Sequence, residues 1–208
     1  MPEPGCVFGY GSLIDAASRG RQLANSAIAT PVRVRGLRRS WNTVTTDVGL
    51  TCTFLGVTRD PDAVCNGVIA TVNADEWPSL DAREAGYRRV PLERSQVEWL
   101  RPADADRFGD TAIDFYETID PTRPTPERPI IQSYVDICLG GCLAVDDDLQ
   151  TGDRFTREFI ETTSGWSGEW VNDRLYPRAP FRYVPRAFAI DRLLHEGCAE
   201  GFAAMRIE

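Results

Sequence analysis

Residues 6–14 read Cys6-Val7-Phe8-Gly9-Tyr10-Gly11-Ser12-Leu13-Ile14, an apolar strand running straight into a loop where two glycines flank a tyrosine and a serine follows. Val7 and Phe8 favour extended backbone, while Gly9 and Gly11 allow a sharp turn and a close approach of main chain to a ligand. Successive N–H groups in such a turn can form a concave anion site. Many strands simply end in glycine, so this stretch gains meaning only beside a second one, Leu80-Asp81-Ala82-Arg83-Glu84-Ala85-Gly86-Tyr87-Arg88-Arg89-Val90.

Between the two stretches the pattern is mostly β. Residues 15–26 carry no decisive signal and suit a short helix or an irregular crossing. Residues 29–42 alternate Val32, Val34 and Leu37 with Arg33 and Arg35, the signature of a half-buried strand. Residues 51–58 and 67–72 read as two further strands separated by a turn at Asp60-Pro61-Asp62. Asn73 is a helix N-cap, Asp75 and Glu76 suit the positive end of the helix dipole, and Trp77, Leu80 and Ala85 form an apolar stripe. The expectation is a helix over 73–85 stopped by Gly86. Glu84 then falls in the last turn, facing the negative dipole end at a cost of about 0.3–1 kcal/mol, so something other than helix stability is expected to keep it there. The plainer alternative is an exposed glutamate, or one paired with Arg83 or Arg88.

Residues 89–100 and 111–118 add two more strands, giving a mostly antiparallel sheet. The run Pro121-Thr122-Arg123-Pro124-Thr125-Pro126-Glu127-Arg128-Pro129 is a stiff, extended connector. Beyond it, Ile131, Tyr134, Val135 and Cys138 recur at helical spacing until Gly140-Gly141 breaks the pattern, and Phe155, Phe159 and Ile160 mark another helix through about residue 162. The chain therefore divides into a β-rich core at 1–120, a proline-rich connector at 121–129 and a helical C-terminal extension at 130–208 packed on the core. Trp166 and Trp170, four apart, are read as anchors of that extension rather than as a stacking platform.

Composition narrows the chemistry. The chain has 208 residues, 42% of them hydrophobic, which suits one substantial core. Its formal net charge is −8 and its 23 basic residues are all arginine. A P-loop lysine and a Schiff-base amine are thereby excluded, and an acidic chain without a basic stripe is a poor nucleic-acid binder. No basic-apolar leader precedes the first strand and no apolar run reaches the roughly 18 residues that span a bilayer, so a soluble cytoplasmic protein without membrane partners is expected. Cys6, Cys52, Cys65, Cys138, Cys142 and Cys198 are scattered and form no Cys-x-x-Cys pair, so they are read as buried thiols rather than metal ligands or disulfides. Cys138 and Cys142, one helical turn apart, share a core face. Gly165-Trp166-Ser167-Gly168-Glu169 is one residue short of a nucleophile elbow, and His195, the one histidine, is read as a packing or surface residue. Gly9-x-Gly11 lacks the third glycine of a dinucleotide fingerprint, since Ile14 stands there.

The ordered pair Val7-Phe8-Gly9-Tyr10-Gly11-Ser12-Leu13 and Leu80-Asp81-x-x-Glu84-x-x-Tyr87-x-Arg89-Val90 resembles the γ-glutamylcyclotransferase-like superfamily. Val34-Arg35-Gly36-Leu37-Arg38-Arg39 and the glycine-led Gly67-Val68-Ile69 resemble it as well, so the likeness covers roughly residues 5–120. It implies an α+β fold with a small mixed, mostly antiparallel β-barrel and flanking helices. It also implies a loop at Tyr10, Gly11, Ser12 and Leu13 that binds a γ-glutamyl group beside a catalytic Glu84, with Tyr87 offering a hydroxyl or serving as a core residue.

Relatives release 5-oxoproline, and that reaction needs neither metal nor cofactor. The substrate's own α-amine attacks its γ-carbonyl, and one carboxylate can serve as base and then as acid. Burial should raise the Glu84 pKa so that it returns the proton efficiently. The loop continues Ser12-Leu13-Ile14-Asp15, whereas the glutathione-degrading branch carries tryptophan and asparagine, so the resemblance does not name the leaving amine. Two other readings stand beside this one: a non-catalytic module of the same fold that binds a ligand or partner, and a related enzyme that unloads a γ-glutamyl group from a larger carrier. Residues 170–174 and 176–178 lie outside the resemblance; capping of the fold is their expected role, with covering the pocket the alternative. Oligomeric state is left open.

Overall fold

The computed structural model describes residues 3–21, 23, 29–47, 50–177 and 184–207. Arg178, in the tail segment considered as a pocket cover, and most of 22–28 lie outside the described residues. Strand β1 (Gly5–Gly9) is buried along its length and feeds a 3₁₀ turn at Ser12–Ile14. Helix α1 (Ala16–Gly20) follows, with the Asp15 carboxylate accepting from Ser18 N at 2.6 Å as its cap.

A long antiparallel hairpin comes next, β2 (Ala29–Asp47) against β3 (Leu50–Val72). The turn expected at Asp60-Pro61-Asp62 does not separate two strands. It is a bulge within β3: the ladder pairs Arg35 with Val64 and Leu37 with Arg59, so residues 60–63 loop out opposite Gly36, whose φ of 83° suits a residue without a side chain. The Asp60 carboxylate ties this bulge by accepting from Asp62 N at 3.1 Å and from Arg38 Nε at 2.5 Å.

Helix α2 (Trp77–Arg83) is shorter than the predicted 73–85. Asn73 is not its cap; residues 73–76 form a turn in which Asn73 O accepts from Glu76 N (3.1 Å) and Asn73 N donates to Glu76 Oε2 (2.8 Å). Pro78 then occupies the first helical turn, where its missing N–H costs nothing. At the other end Glu84 is the C-terminal cap, one residue beyond the helix.

The strand predicted over 89–100 is two strands on different partners. β4 (Tyr87–Pro91) runs antiparallel to β6 (Ile113–Thr118), whereas β5 (Val97–Trp99) pairs with β2; between them a 3₁₀ turn, Arg94–Gln96, is closed by a capping box of Glu93 and Gln96. Helix α3 (Asp104–Phe108) was not foreseen, and β6 (Ile113–Thr118) returns to pair parallel with β1. The sheet is mixed and mostly antiparallel, but the expected barrel is open: among the described residues β4 pairs only with β6 and β5 only with β2. The boxed turn carries the chain across that gap as a covalent link, not as a ladder.

The extension adds strands as well as helices. β7 (Ile130–Ile131) joins β3 in parallel, α4 (Gln132–Leu149) and α5 (Arg154–Thr162) follow, and β8 (Thr163–Ser164) lies beside β2. β9 (Trp170–Asn172) pairs with β7, α6 (Ala187–Gly197) and α7 (Ala199–Ala203) come next, and β10 (Arg206–Ile207) lies beside β9. Gly140-Gly141 does not end α4, which runs on to Leu149. Gly141 has another purpose: a Cβ there would fall 2.5 Å from Asp15 N, so glycine lets the helix touch the backbone of the N-terminal loop. Gly140 faces open space.

One core lies under these helices, joining Ile14, Trp41, Leu55, Val135, Cys138, Phe159, Trp170 and Leu194; a second, between the sheet faces, joins Phe8, Val34, Ile69 and Phe115. Each such side chain, fully buried, contributes about 1.5–3 kcal/mol before entropy is counted. Remote carboxylates cap the helices: Asp173 accepts from Ser133 N and Oγ at the start of α4, and Asp146 accepts from Phe155 N and Thr156 N at the start of α5. Arg174 clamps Asp136 of α4 and Asp191 of α6, so residues 170–174 tie the tail down. Trp166 and Trp170 stack at 5.2 Å with Trp170 fully buried, an anchor as expected. All six cysteines are free, and Cys198 alone is partly exposed. No helix among the described residues is long and apolar enough to cross a membrane.

Candidate active site

The loop after β1 is shaped from beneath. A Cβ on Gly9 would lie 2.6 Å from Leu13 Cβ, so Gly9 leaves room for the Leu13 side chain, which joins a core with Val7, Leu23, Trp77 and Leu80. Leu13 can therefore serve a ligand only through its main chain. The loop carbonyls are held from behind by two buried arginines. Arg19 Nη1 donates to Leu13 O (2.8 Å) and Ile14 O (3.1 Å), and Arg39 Nη1 donates to Tyr10 O (3.4 Å). Ile14 N and Asp15 N are used within the turn, bonded to Gly11 O and Ser12 O. The N–H groups of Gly11, Ser12 and Leu13, at the opening of the 3₁₀ turn, take no acceptor among the described residues.

Arg39 is fully buried, and every hydrogen bond it makes among the described residues goes to a neutral acceptor: Thr163 Oγ1, Asn66 O and Oδ1, Phe159 O, Thr162 Oγ1, Tyr10 O and the Cys65 sulfur. Its guanidinium also stacks 3.5 Å from the Phe159 ring centroid. This is a positive charge set behind the loop with no carboxylate directly on it.

Glu84, 71 residues beyond the loop's Leu13, comes from the C-terminal end of α2. Its side chain is 16% exposed, and burial raises its pKa above the ordinary carboxylate range while neighbouring Arg83 pulls it down less. Arg83 joins the two motifs: its Nη2 donates to Ser12 Oγ at 3.3 Å and its Nη1 stands 3.6 Å from Glu84 Oε1. The loop and the glutamate, distant in sequence, thus meet through one guanidinium.

Four tyrosines lie within electrostatic reach of Glu84. Burial is the main cause that lifts the hydroxyl pKa of Tyr10, Tyr87, Tyr116 and Tyr134, and the charge of Glu84 adds to the rise in each. Tyr10 and Tyr87 do not present free protons: Tyr10 donates to Tyr116 O at 2.6 Å and Tyr87 to Leu55 O at 2.7 Å. Their oxygens remain able to accept. Tyr116 donates to Asp81 at 2.7 Å.

Sequence reasoning missed Tyr134, reading it as one of several core residues at helical spacing. Its ring is held edge-on by Phe54 (4.6 Å) and Trp41 (5.9 Å), and its hydroxyl lies 2.9 Å from where a Cβ on Gly11 would stand. Gly11 thus admits a tyrosine brought by the C-terminal extension. A polar cluster at Asn42, Thr43 and Thr118, linked at 2.9–3.2 Å, adjoins Tyr87, which pairs across the ladder with Thr118. Gly56 is forced there, since a Cβ would come within 1.9 Å of Thr118 Oγ1. No periodicity signals such a cluster. Among the described residues no group of three or more His, Cys, Asp or Glu side chains is placed to hold a metal ion.

No family model matches the sequence, and no curated protein matches it either. Solved structures do match. One is a "Gamma-glutamyl cyclotransferase", 15% identical, with 74% of this chain covering 86% of that one at a TM-score of 0.56. Another is an uncharacterized protein from Homo sapiens, 16% identical over the same shares and with the same TM-score. At these identities the likeness establishes the fold alone, one shared with the solved γ-glutamyl cyclotransferase, and it extends past residue 120 into the extension.

Proposed function

We propose that this chain is a cofactor-independent γ-glutamyl cyclotransferase that converts a γ-glutamyl amine or amino acid into 5-oxoproline and the free amine. The observation that carries the reading is the meeting of the two motifs: Arg83 touches Ser12 Oγ while lying beside a half-buried Glu84 whose pKa is raised. A binding module has no use for an ionisable group kept there against its desolvation; a proton carrier does.

The mechanism follows from those positions. Glu84 as carboxylate removes a proton from the substrate's α-ammonium. The freed amine nitrogen attacks the γ-carbonyl carbon, forming the ring C–N bond and an oxyanion, which the unpartnered N–H groups of Gly11, Ser12 and Leu13 receive. Preorganised donors of this kind contribute roughly 2.7–4 kcal/mol each. The oxyanion collapses and the original C–N bond breaks as the protonated Glu84 gives its proton to the departing amine; the ring nitrogen then gives up its remaining extra proton to the Glu84 carboxylate, which passes it on to the amine, leaving neutral lactam and an ammonium. Holding the substrate curled for ring closure contributes about 7–11 kcal/mol, the range for well-oriented intramolecular reactions. Tyr87 and Tyr134 supply hydroxyl oxygens and aromatic walls around the γ-glutamyl chain. The six free, mostly buried cysteines support a reducing, cytoplasmic setting.

The test is release of 5-oxoproline by the wild type from a panel of γ-glutamyl compounds: glutathione, γ-glutamyl amino acids, γ-glutamyl amines and a γ-glutamyl peptide standing for a larger carrier. Turnover of one class establishes the reading and names the leaving amine. No turnover of any by folded protein leaves it without support.

A further inference from the structure

Arg83 has more to do than join two motifs. Its side chain is 34% exposed at the rim of the site, and the electrostatic influence of its charge reaches Glu84, Tyr87 and Tyr134. The acid on its own helix does not neutralise it, because Asp81 is engaged by Arg89 Nε at 3.1 Å and by the Tyr116 hydroxyl at 2.7 Å. Its one close acidic neighbour among the described residues, Glu84 Oε1, lies at 3.6 Å, too long for a hydrogen bond. Arg39 adds a second positive charge behind the loop, on neutral acceptors alone. The charge acting on the Glu84 carboxyl is that of Arg83, a guanidinium with no hydrogen-bonded acid among the described residues, which suits a ligand that brings a carboxylate.

We propose that Arg83 receives the α-carboxylate of the γ-glutamyl group while Glu84, beside it, takes the α-ammonium borne by the same carbon. This rests on the cyclotransferase reading and deepens it. A carboxylate and a guanidinium 3.6 Å apart form a receptor for an α-amino-acid head group, and the guanidinium fork matches a carboxylate with two parallel hydrogen bonds. The assignment leaves the loop N–H groups to the oxyanion alone, and it orients the amine, since fixing the carboxylate fixes the rotation about the α-carbon. The substrate class narrows accordingly. A free α-carboxylate is required next to the attacking amine, so γ-aminobutyryl amides, which lack only that group and would close to 2-pyrrolidinone, are poor substrates whatever their leaving amine.

The experiment compares 5-oxoproline with 2-pyrrolidinone, the ring with and without the carboxylate, by calorimetric binding to wild type, Arg83→Lys and Arg83→Met. Arg83→Gln replaces the methionine variant should that one fail to fold. Charge-assisted pairing predicts that wild type prefers 5-oxoproline by about ten- to hundred-fold, that lysine keeps part of the preference as a point charge, and that methionine erases it. An unchanged preference in Arg83→Met, or none in wild type, overturns the assignment. Turnover of a γ-glutamyl amide is read in parallel. Turnover with an Arg83-independent preference sinks this inference alone; an Arg83-dependent preference without turnover of any γ-glutamyl compound sinks the catalytic reading and leaves the carboxylate receptor standing.

Discussion

Adjacent glycines in α4 should respond to alanine with opposite signs. Gly140 is half-buried with nothing within 4 Å of its missing Cβ, so Gly140→Ala gains helix propensity alone, about 1 kcal/mol. Gly141→Ala gains the same amount but sets its Cβ 2.5 Å from Asp15 N and 2.8 Å from Ile14 C. Those are main-chain atoms that no rotamer change can move aside, so helix and loop must part by nearly an ångström. Overpacking of this kind costs about 1–3 kcal/mol. Propensity cancels in the comparison, leaving the two variants about 1–3 kcal/mol apart, with Gly140→Ala the more stable. For a chain of this length 1 kcal/mol moves Tm by roughly 2–4 °C, so thermal melts followed by circular dichroism resolve the difference. Because the parted segment is the loop that carries Gly11 to Leu13, Gly141→Ala should also lose 5-oxoproline release while Gly140→Ala keeps it. Equal stabilisation of both variants would refute the claim that Gly141 exists for contact with the loop.

Other consequences are as direct. Glu84 has its folded pKa raised above its reference value of 4.5, chiefly by burial, so the folded protein holds that proton more tightly than the unfolded chain. Its favourable contribution is complete below about pH 4.5 and is lost as pH rises through the raised value, each unit of displacement being worth about 1.4 kcal/mol. Urea unfolding at pH 4 and pH 8 should therefore show Glu84→Gln gaining stability relative to wild type at the higher pH; a gap that ignores pH would contradict the burial of its charge. Arg39→Met removes the guanidinium that serves Thr163, Asn66, Phe159 and Thr162, strands those buried acceptors and should cost roughly 3–5 kcal/mol in chemical denaturation. A loss under 1 kcal/mol would mean that water or rearrangement replaces it. Burial pushes the thiols of Cys138 and Cys198 up to about 12 and that of Cys6 up to about 11. Ellman's reagent at pH 8 should then find almost no reactive thiol in the folded protein and six after unfolding.

Much of this architecture was legible where signals are local. Val7 and Phe8 running into Gly9-x-Gly11 marked β1 and its loop, Phe155, Phe159 and Ile160 marked α5, and Arg33 and Arg35 alternating with valines marked β2. The ordered pair of motifs pointed to the fold and drew attention to Glu84. What stayed hidden depends on contacts between distant segments. Gly140-Gly141 looks like a helix break because propensity counts only the chain's own backbone, whereas Gly141 answers to Asp15 on another element. Tyr134 shares the period of its buried neighbours, and nothing local distinguishes the position that meets Gly11 from those that meet the core. β7 and β9, of two and three residues, are too short for any alternation to register. The register slip at Gly36 turned an expected turn into a bulge because the partner strand, not Asp60-Pro61-Asp62, decides whether the ladder resumes.

The most direct measurement is 5-oxoproline release by wild type and Glu84→Gln on the best γ-glutamyl substrate, with calorimetric binding of 5-oxoproline to both proteins. The substitution keeps size and polarity and removes proton transfer. Loss of turnover of at least about a hundred-fold, as for a general acid–base, with product binding retained, is the predicted result. Equal turnover by both proteins would contradict the assignment of Glu84.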